Sequence, residues 1–154
     1  MNDAGIKTNV GGRGWLVFLA LVILWGLLLF RNQDVTGACE LVPADYQDRA
    51  MRVGWKEDPK VLSAGKAIYE GEAKPSVKCV MCHGEDGKPT QIGRGAPDFS
   101  DPSEKCTQGS DAQWFWRISE GKPQTIMPGW KKHLTEEERW QVIAYLHTFA
   151  HKGK

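Results

Sequence analysis

The residues best suited to chemistry stand together in one short run, Cys79-Val80-Met81-Cys82-His83. Two thiols separated by two residues can reach the two vinyl groups on one porphyrin edge and form thioether bonds. The histidine that follows is then carried beneath the iron as an axial ligand, which is why C-x-x-C-H is the haem attachment spacing. Two other chemistries use paired cysteines. A thiol redox pair belongs in a βαβ pattern, and no such pattern is visible. A zinc site needs two further ligands at paired spacing, whereas Cys39 and Cys106 stand far apart and alone. One covalent haem c, with its iron, is therefore the expected cofactor.

A sixth iron ligand must come from elsewhere in the chain. The candidates are Met51, Met81, Met127, His133, His147 and His151. Met81 lies inside the attachment loop and cannot reach the opposite face of the ring. Met51 precedes the first helix of the domain. A histidine on or after the last helix is most often solvated or packed. Met127 sits in Thr125-Ile126-Met127-Pro128-Gly129-Trp130, 44 residues after His83, in a loop stiffened by proline. A methionine serving as core usually occupies an apolar helix face instead.

These groups need elements to hold them. A first helix is predicted from Asp58-Pro59, an N-cap residue followed by proline, with Val61, Leu62, Gly65, Ile68 and Tyr69 on one face. A second runs from about Ser110 to Glu120 and stops at Gly121. A third starts at the capping box Thr135-Glu136-Glu137-Glu138, with a stripe of Trp140, Ile143, Ala144 and His147 widened by Val142, Tyr145 and Phe149. Between the first two helices lies a long loop punctuated by Gly84, Gly87, Pro89, Gly93, Gly95, Pro97 and Pro102. A loop of that length without periodicity is unusual in an ordinary domain. It is reasonable where loops wrap a ligand that completes the core. The fold class expected is all-α.

Ahead of this domain, Trp15 to Phe30 is a run of sixteen residues without charge, bracketed by Arg13 and Arg31. With Gly14 it makes a helix about 25 Å long, enough for a bilayer core of about 30 Å if both arginines reach outward. The alternative is a cleaved signal peptide. Against that stand the length of the run, the charged segment that follows it, and only a weak small-residue site at Thr36-Gly37-Ala38. The organisation expected is a cytoplasmic tail at 1–13, a transmembrane anchor at 14–30, a polar connector at 31–57, helical near Ala44–Arg52, and the haem domain at 58–154. Covalent haem attachment takes place in an oxidising, extracytoplasmic compartment. The expected location is thus the bacterial cytoplasmic membrane, single-pass, with the haem domain on the periplasmic side. Cys39 and Cys106 are then the two thiols left on the oxidising side, where pairing is favoured, and a disulfide between them is expected.

The stretch from about 58 to 150 resembles the class I cytochrome c domain, in the form found in membrane-anchored monohaem bacterial members. The residues that carry the resemblance are Gly65 and Tyr69 in the first helix, the C-x-x-C-H run, the Gly95-Ala96-Pro97 loop, Met127-Pro128 followed by Trp130, and the final helix with Trp140 and Tyr145. It implies a cytochrome c-like fold of three main helices and haem-wrapping loops, in which the first and last helices cross with Gly65 against the Tyr145 face. It further implies that Pro97 offers its carbonyl to the His83 ring, that Met127 is the axial methionine, and that Trp114 and Arg117 serve the haem propionates.

The activity expected is transfer of single electrons between respiratory or photosynthetic membrane complexes, from a donor such as a quinol-oxidising complex to a terminal oxidase or reductase. With both axial positions filled, no enzyme activity and no small-molecule substrate are expected. The alternative is a fixed haem subunit of a larger membrane oxidoreductase. A gas sensor or peroxidase would require an open iron, and the four-helix gas-binding cytochromes carry their motif near the C-terminus. The 20 Lys+Arg against 19 Asp+Glu give no basic stretch that suggests nucleic acid. Lys74, Lys78 and Lys88 flank the attachment loop, and Lys122, Lys131 and Lys132 flank the methionine loop. Together they would form a basic rim for an acidic partner.

Overall fold

The computed structural model describes residues 40–104 and 108–151. These form four α-helices: α1 (Pro59–Glu70), α2 (Val80–His83), α3 (Asp111–Glu120) and α4 (Glu136–His147). Single 3-10 turns at Ala44–Tyr46 and Phe149–His151 flank them. The anchor expected at 14–30 and the Cys39–Cys106 disulfide lie outside the described residues. Within the described residues, no helix is long and apolar enough to cross a membrane.

The helix ends follow from local chemistry. The Asp58 carboxylate accepts the Lys60 amide at 2.8 Å, Pro59 starts α1, and Gly71 closes it in the left-handed conformation at φ 82°. The Ser110 hydroxyl accepts the Gln113 amide, and α3 ends on Gly121 at φ 76°. At α4 the capping box is complete: the Glu138 amide donates to Thr135 Oγ1 at 3.2 Å, and the Thr135 amide donates to Glu138 Oε2 at 2.8 Å.

The main interface is α1 against α4, and α3 also packs on α4. Gly65 makes the first contact possible. A Cβ there would lie 2.0 Å from the Gln141 carbonyl oxygen and 3.0 Å from Tyr145 Cβ, so the α1 backbone rests directly on α4. On α4 the five consecutive residues Val142 to Leu146 are all buried, as is Trp140. A run of five turns through the whole circumference of a helix, so α4 is a central helix rather than an amphipathic one. Phe115 of α3 stacks on Trp140 at 4.2 Å, and Phe149, just past α4, is fully buried between Tyr69 and Tyr145.

The segment expected as a connector is largely a strap on this bundle. The described residues from Glu40 onward belong to the same compact unit as the helices. Only Ala44–Tyr46 is helical, one 3-10 turn instead of the helix expected over Ala44–Arg52. The physical reason is that its side chains are committed to tertiary partners. Met51 is buried in the core, and the Tyr46 hydroxyl donates to Glu120. Arg49 pairs with Glu136 at 3.0 Å, Lys56 with Asp111 at 2.9 Å, and Arg117 with Glu40.

Asp111, at the start of α3, anchors the strap, taking the Met51 amide at 3.3 Å and the Lys56 ammonium, with His147 Nε2 at 3.7 Å. Burial opposes its ionisation, but the Lys56 and Met51 donors outweigh burial and hold the carboxyl below its usual range. A folded-state pKa below the unfolded one means that the carboxylate stabilises the fold above about pH 4 and that this is lost as pH falls through the lowered value. Asp111→Asn should therefore cost about 1–2 kcal/mol at pH 7. Denaturation of both proteins across pH checks this, since the difference should fade in acid. An equal loss at pH 7 and in acid would mean that the charge is not what holds the strap.

Candidate functional site

The attachment run folds as a single helical turn. Cys79 is the N-cap of α2, and its carbonyl accepts the Cys82 and His83 amides at 3.1 and 2.9 Å. Helical spacing of three and four residues brings Cys79, Cys82 and His83 onto one face. The turn is held from both sides. The Tyr69 hydroxyl of α1 donates to the Gly84 carbonyl at 2.6 Å. The Thr90 amide donates to the Cys82 carbonyl at 3.0 Å, and the Thr90 hydroxyl donates to the Met81 carbonyl at 2.6 Å. These contacts satisfy carbonyls at the end of a helix too short to satisfy them itself. Gly93 lies so close to the same turn that a Cβ there would be 2.0 Å from the Cys82 oxygen.

Burial keeps the side chains of the turn neutral. Cys79 and Cys82 are free cysteines, and burial pushes the Cys79 thiol up to about 12. Burial likewise lowers His83 to about 4, so its imidazole is neutral at physiological pH, the form that binds metal. His83 Nδ1 and Trp114 Nε1 are buried polar atoms with no hydrogen-bond partner among the described residues. Such groups are rare and require an explanation. A neutral imidazole awaiting a metal and a buried donor awaiting an anionic group both fit a haem with its iron and propionates.

The other expected residues are placed as follows. Met127 is half-buried at the margin of the core. Its amide donates to Thr125 Oγ1 at 3.2 Å, and its carbonyl accepts the Lys122 amide at 3.1 Å. The end of that loop is bound to α3 by the Trp130 amide, which donates to the Ile118 carbonyl at 2.9 Å. Met51 is a buried core residue, and Met81, within the attachment turn, is exposed. Trp114 is near the attachment histidine through one intervening ring, Phe99, which is 5.4 Å from Trp114 and 4.6 Å from His83.

Two further expected residues have these surroundings. Pro97 lies in the loop whose Phe99 stacks on the His83 ring, and His83 Nδ1 has no hydrogen-bond partner among the described residues. Arg117, expected to serve the haem propionates, has protein partners. Its guanidinium donates to the Gly121 carbonyl at 2.9 Å, pairs with Glu40 and covers the Trp116 ring, because Glu40 arrives on the strap. The basic rim is also thinner than charge counting suggests. Lys74 is tied to Glu138 at 2.8 Å and Lys131 to Glu120 at 2.7 Å, leaving Lys78, Lys88, Lys122 and Lys132 exposed. Phe99 went unnoticed in the sequence, where no signal singles it out from the other rings.

No solved structure matches the chain significantly. A family model described as "Cytochrome C oxidase, cbb3-type, subunit III" matches residues 61–146, from α1 to the end of α4. That is more than half of the chain, and it contains the attachment turn, the methionine loop and the helix crossing. The chain belongs to this family, and its domain is that of a c-type cytochrome carrying covalent haem c.

Proposed function

We propose that the protein is a membrane-anchored carrier of single electrons. In this reading residues 14–30 tether it to a bacterial cytoplasmic membrane with the haem domain on the periplasmic side. It accepts electrons from a quinol-oxidising complex and delivers them to a terminal oxidase or reductase. The observation that carries the reading is the attachment turn, where His83, its Nδ1 buried, shares one helical face with Cys79 and Cys82. The haem supplies one-electron chemistry through the ferrous and ferric states of its iron.

The protein's own residues do the rest. Cys79 and Cys82 would hold the cofactor covalently, and His83 and Met127 would bind its iron. A histidine and methionine pair favours a relatively high potential. Trp114 Nε1 is a buried donor suited to a propionate. Near the attachment turn and methionine loop, Met81, Ile92 and Ile126 are exposed at 50%, 59% and 68%. With the exposed Lys78, Lys88, Lys122 and Lys132 they offer apolar and basic contacts for an acidic redox partner. A Cys39–Cys106 disulfide belongs to the same proposal. Non-reducing peptide mapping should yield one cross-linked pair, and alkylation of both thiols without reductant would refute it.

A second reading is favoured by the family description, which names an oxidase subunit. In that case the chain is a fixed haem c subunit of a larger membrane oxidoreductase. Gentle detergent extraction followed by native sizing separates the two. A free carrier travels as a single chain that takes up one electron per haem, whereas a fixed subunit co-migrates in constant ratio with oxidase subunits. Failure to undergo reversible one-electron reduction would contradict both.

A further inference from the structure

We propose that Thr90 is a positioning residue for the attachment turn, its hydroxyl and amide together holding Cys82 and His83 where the cofactor requires them. The helix Val80–His83 is a single turn with few bonds of its own. The Cys82 and His83 amides reach the Cys79 carbonyl, and the Gly84 amide reaches the Val80 carbonyl at 2.9 Å. One turn of helix fixes more dihedral angles than its hydrogen bonds repay, so it does not hold its shape alone. Its last carbonyls, those of Met81 and Cys82, need partners from outside it.

Thr90 supplies both. Its hydroxyl donates to the Met81 carbonyl at 2.6 Å, and its amide donates to the Cys82 carbonyl at 3.0 Å. The same hydroxyl oxygen accepts the Gly93 amide at 3.1 Å, and a Cβ on Gly93 would lie 2.0 Å from the Cys82 oxygen. A hydroxyl suits this place because it donates and accepts at once. The loop delivers Thr90 there. Gly84 closes the turn at φ 68°, and a Cβ on it would meet the Lys88 carbonyl oxygen at 2.4 Å. The Lys88 amide donates to Asp86 Oδ1 at 3.1 Å, so the chain reverses tightly and comes back to the turn it has left. Thr90 is only half-buried, so it acts through these bonds rather than through bulk in the core.

The inference rests on Cys79, Cys82 and His83 holding a covalent haem. Thr90→Val keeps the shape of the side chain and removes the hydroxyl, whereas Thr90→Ser keeps the hydroxyl. In the ferric full-length protein, Thr90→Val should shift the paramagnetically displaced haem-methyl proton resonances and the electron paramagnetic g values, which report how the axial imidazole is set. Thr90→Ser should leave both at their wild-type positions. The Gly93 amide should exchange with deuterium about fivefold faster in Thr90→Val, the worth of one hydrogen bond. A residue that only stabilised the fold would lower the melting temperature and leave the resonances in place. Wild-type resonances in a folded Thr90→Val overturn the proposal, and so do equal shifts in the two variants. If Thr90→Val fails to mature, Thr90→Ser must still carry haem and the wild-type Gly93 amide must be protected, and failure of either overturns the proposal. A wild-type protein lacking covalent haem would instead overturn the attachment assignment beneath it.

Discussion

Gly65→Ala lowers the melting temperature of the cytochrome domain by more than about 10 °C, from a destabilisation of about 3 kcal/mol or more. The sign is informative, because in an exposed helix the same change would stabilise by up to about 1 kcal/mol. At Gly65 the added carbon meets a backbone oxygen at 2.0 Å and a backbone carbon at 2.6 Å, both from Gln141. A side chain could swing aside, but a backbone within a central helix cannot move without displacing Trp140 and the residues from Val142 onward. The α1–α4 crossing must therefore open, exposing Ile68, Tyr69 and Phe149 together. Thermal unfolding followed by far-ultraviolet circular dichroism measures it, with the exposed Ser63→Ala as a control that leaves the melting temperature unchanged or raises it. Equal effects of the two substitutions would show that the helices are not in close contact at Gly65.

Met127→Ala has the second large effect. The methionine loop is fastened to the end of α3 by backbone hydrogen bonds from Lys122 to Met127 and from Trp130 to Ile118, so truncating the side chain leaves the loop in place. The variant should retain covalent haem, lose the sulfur-to-iron charge-transfer absorption at the red end of the spectrum and bind carbon monoxide in the ferrous state. Its reduction potential should fall by on the order of 100 mV, because the axial methionine favours ferrous iron. Absorption spectroscopy and a redox titration check both points. A variant with an unaltered spectrum would move the assignment to one of the histidine candidates.

Local signals in the sequence were reliable where a few neighbouring residues decide the outcome. Asp58-Pro59, Ser110 and the Thr135–Glu138 box cap helices where their chemistry placed them. The period of α1 correctly marked Val61, Gly65, Ile68 and Tyr69 as its buried face. The C-x-x-C-H run identified its cofactor because thioether and axial-ligand geometry constrain spacing directly. What was hidden depends on residues far apart in the chain. The strap is held by pairs such as Arg49 with Glu136 and Tyr46 with Glu120, separated by 87 and 74 positions. A polar segment with Pro43 and Gly54 reads as a connector until those partners are known. The pair of Arg117 with Glu40, 77 positions apart, is likewise not legible in the sequence. The Phe99 stack on His83 was invisible for a different reason: two residues after Pro97 in an aperiodic loop, nothing in the sequence shows which ring faces the histidine.

The central claim is that Cys79 and Cys82 hold one haem by covalent bonds. Its most direct measurement is the intact mass of the native protein after denaturation in acidified organic solvent, which extracts any haem held by ligation alone. The account predicts a polypeptide heavier by one haem, with the added mass mapping to the peptide that contains Cys79-Val80-Met81-Cys82-His83. A polypeptide of bare mass, with both cysteines open to alkylation and the haem released into solvent, would contradict it.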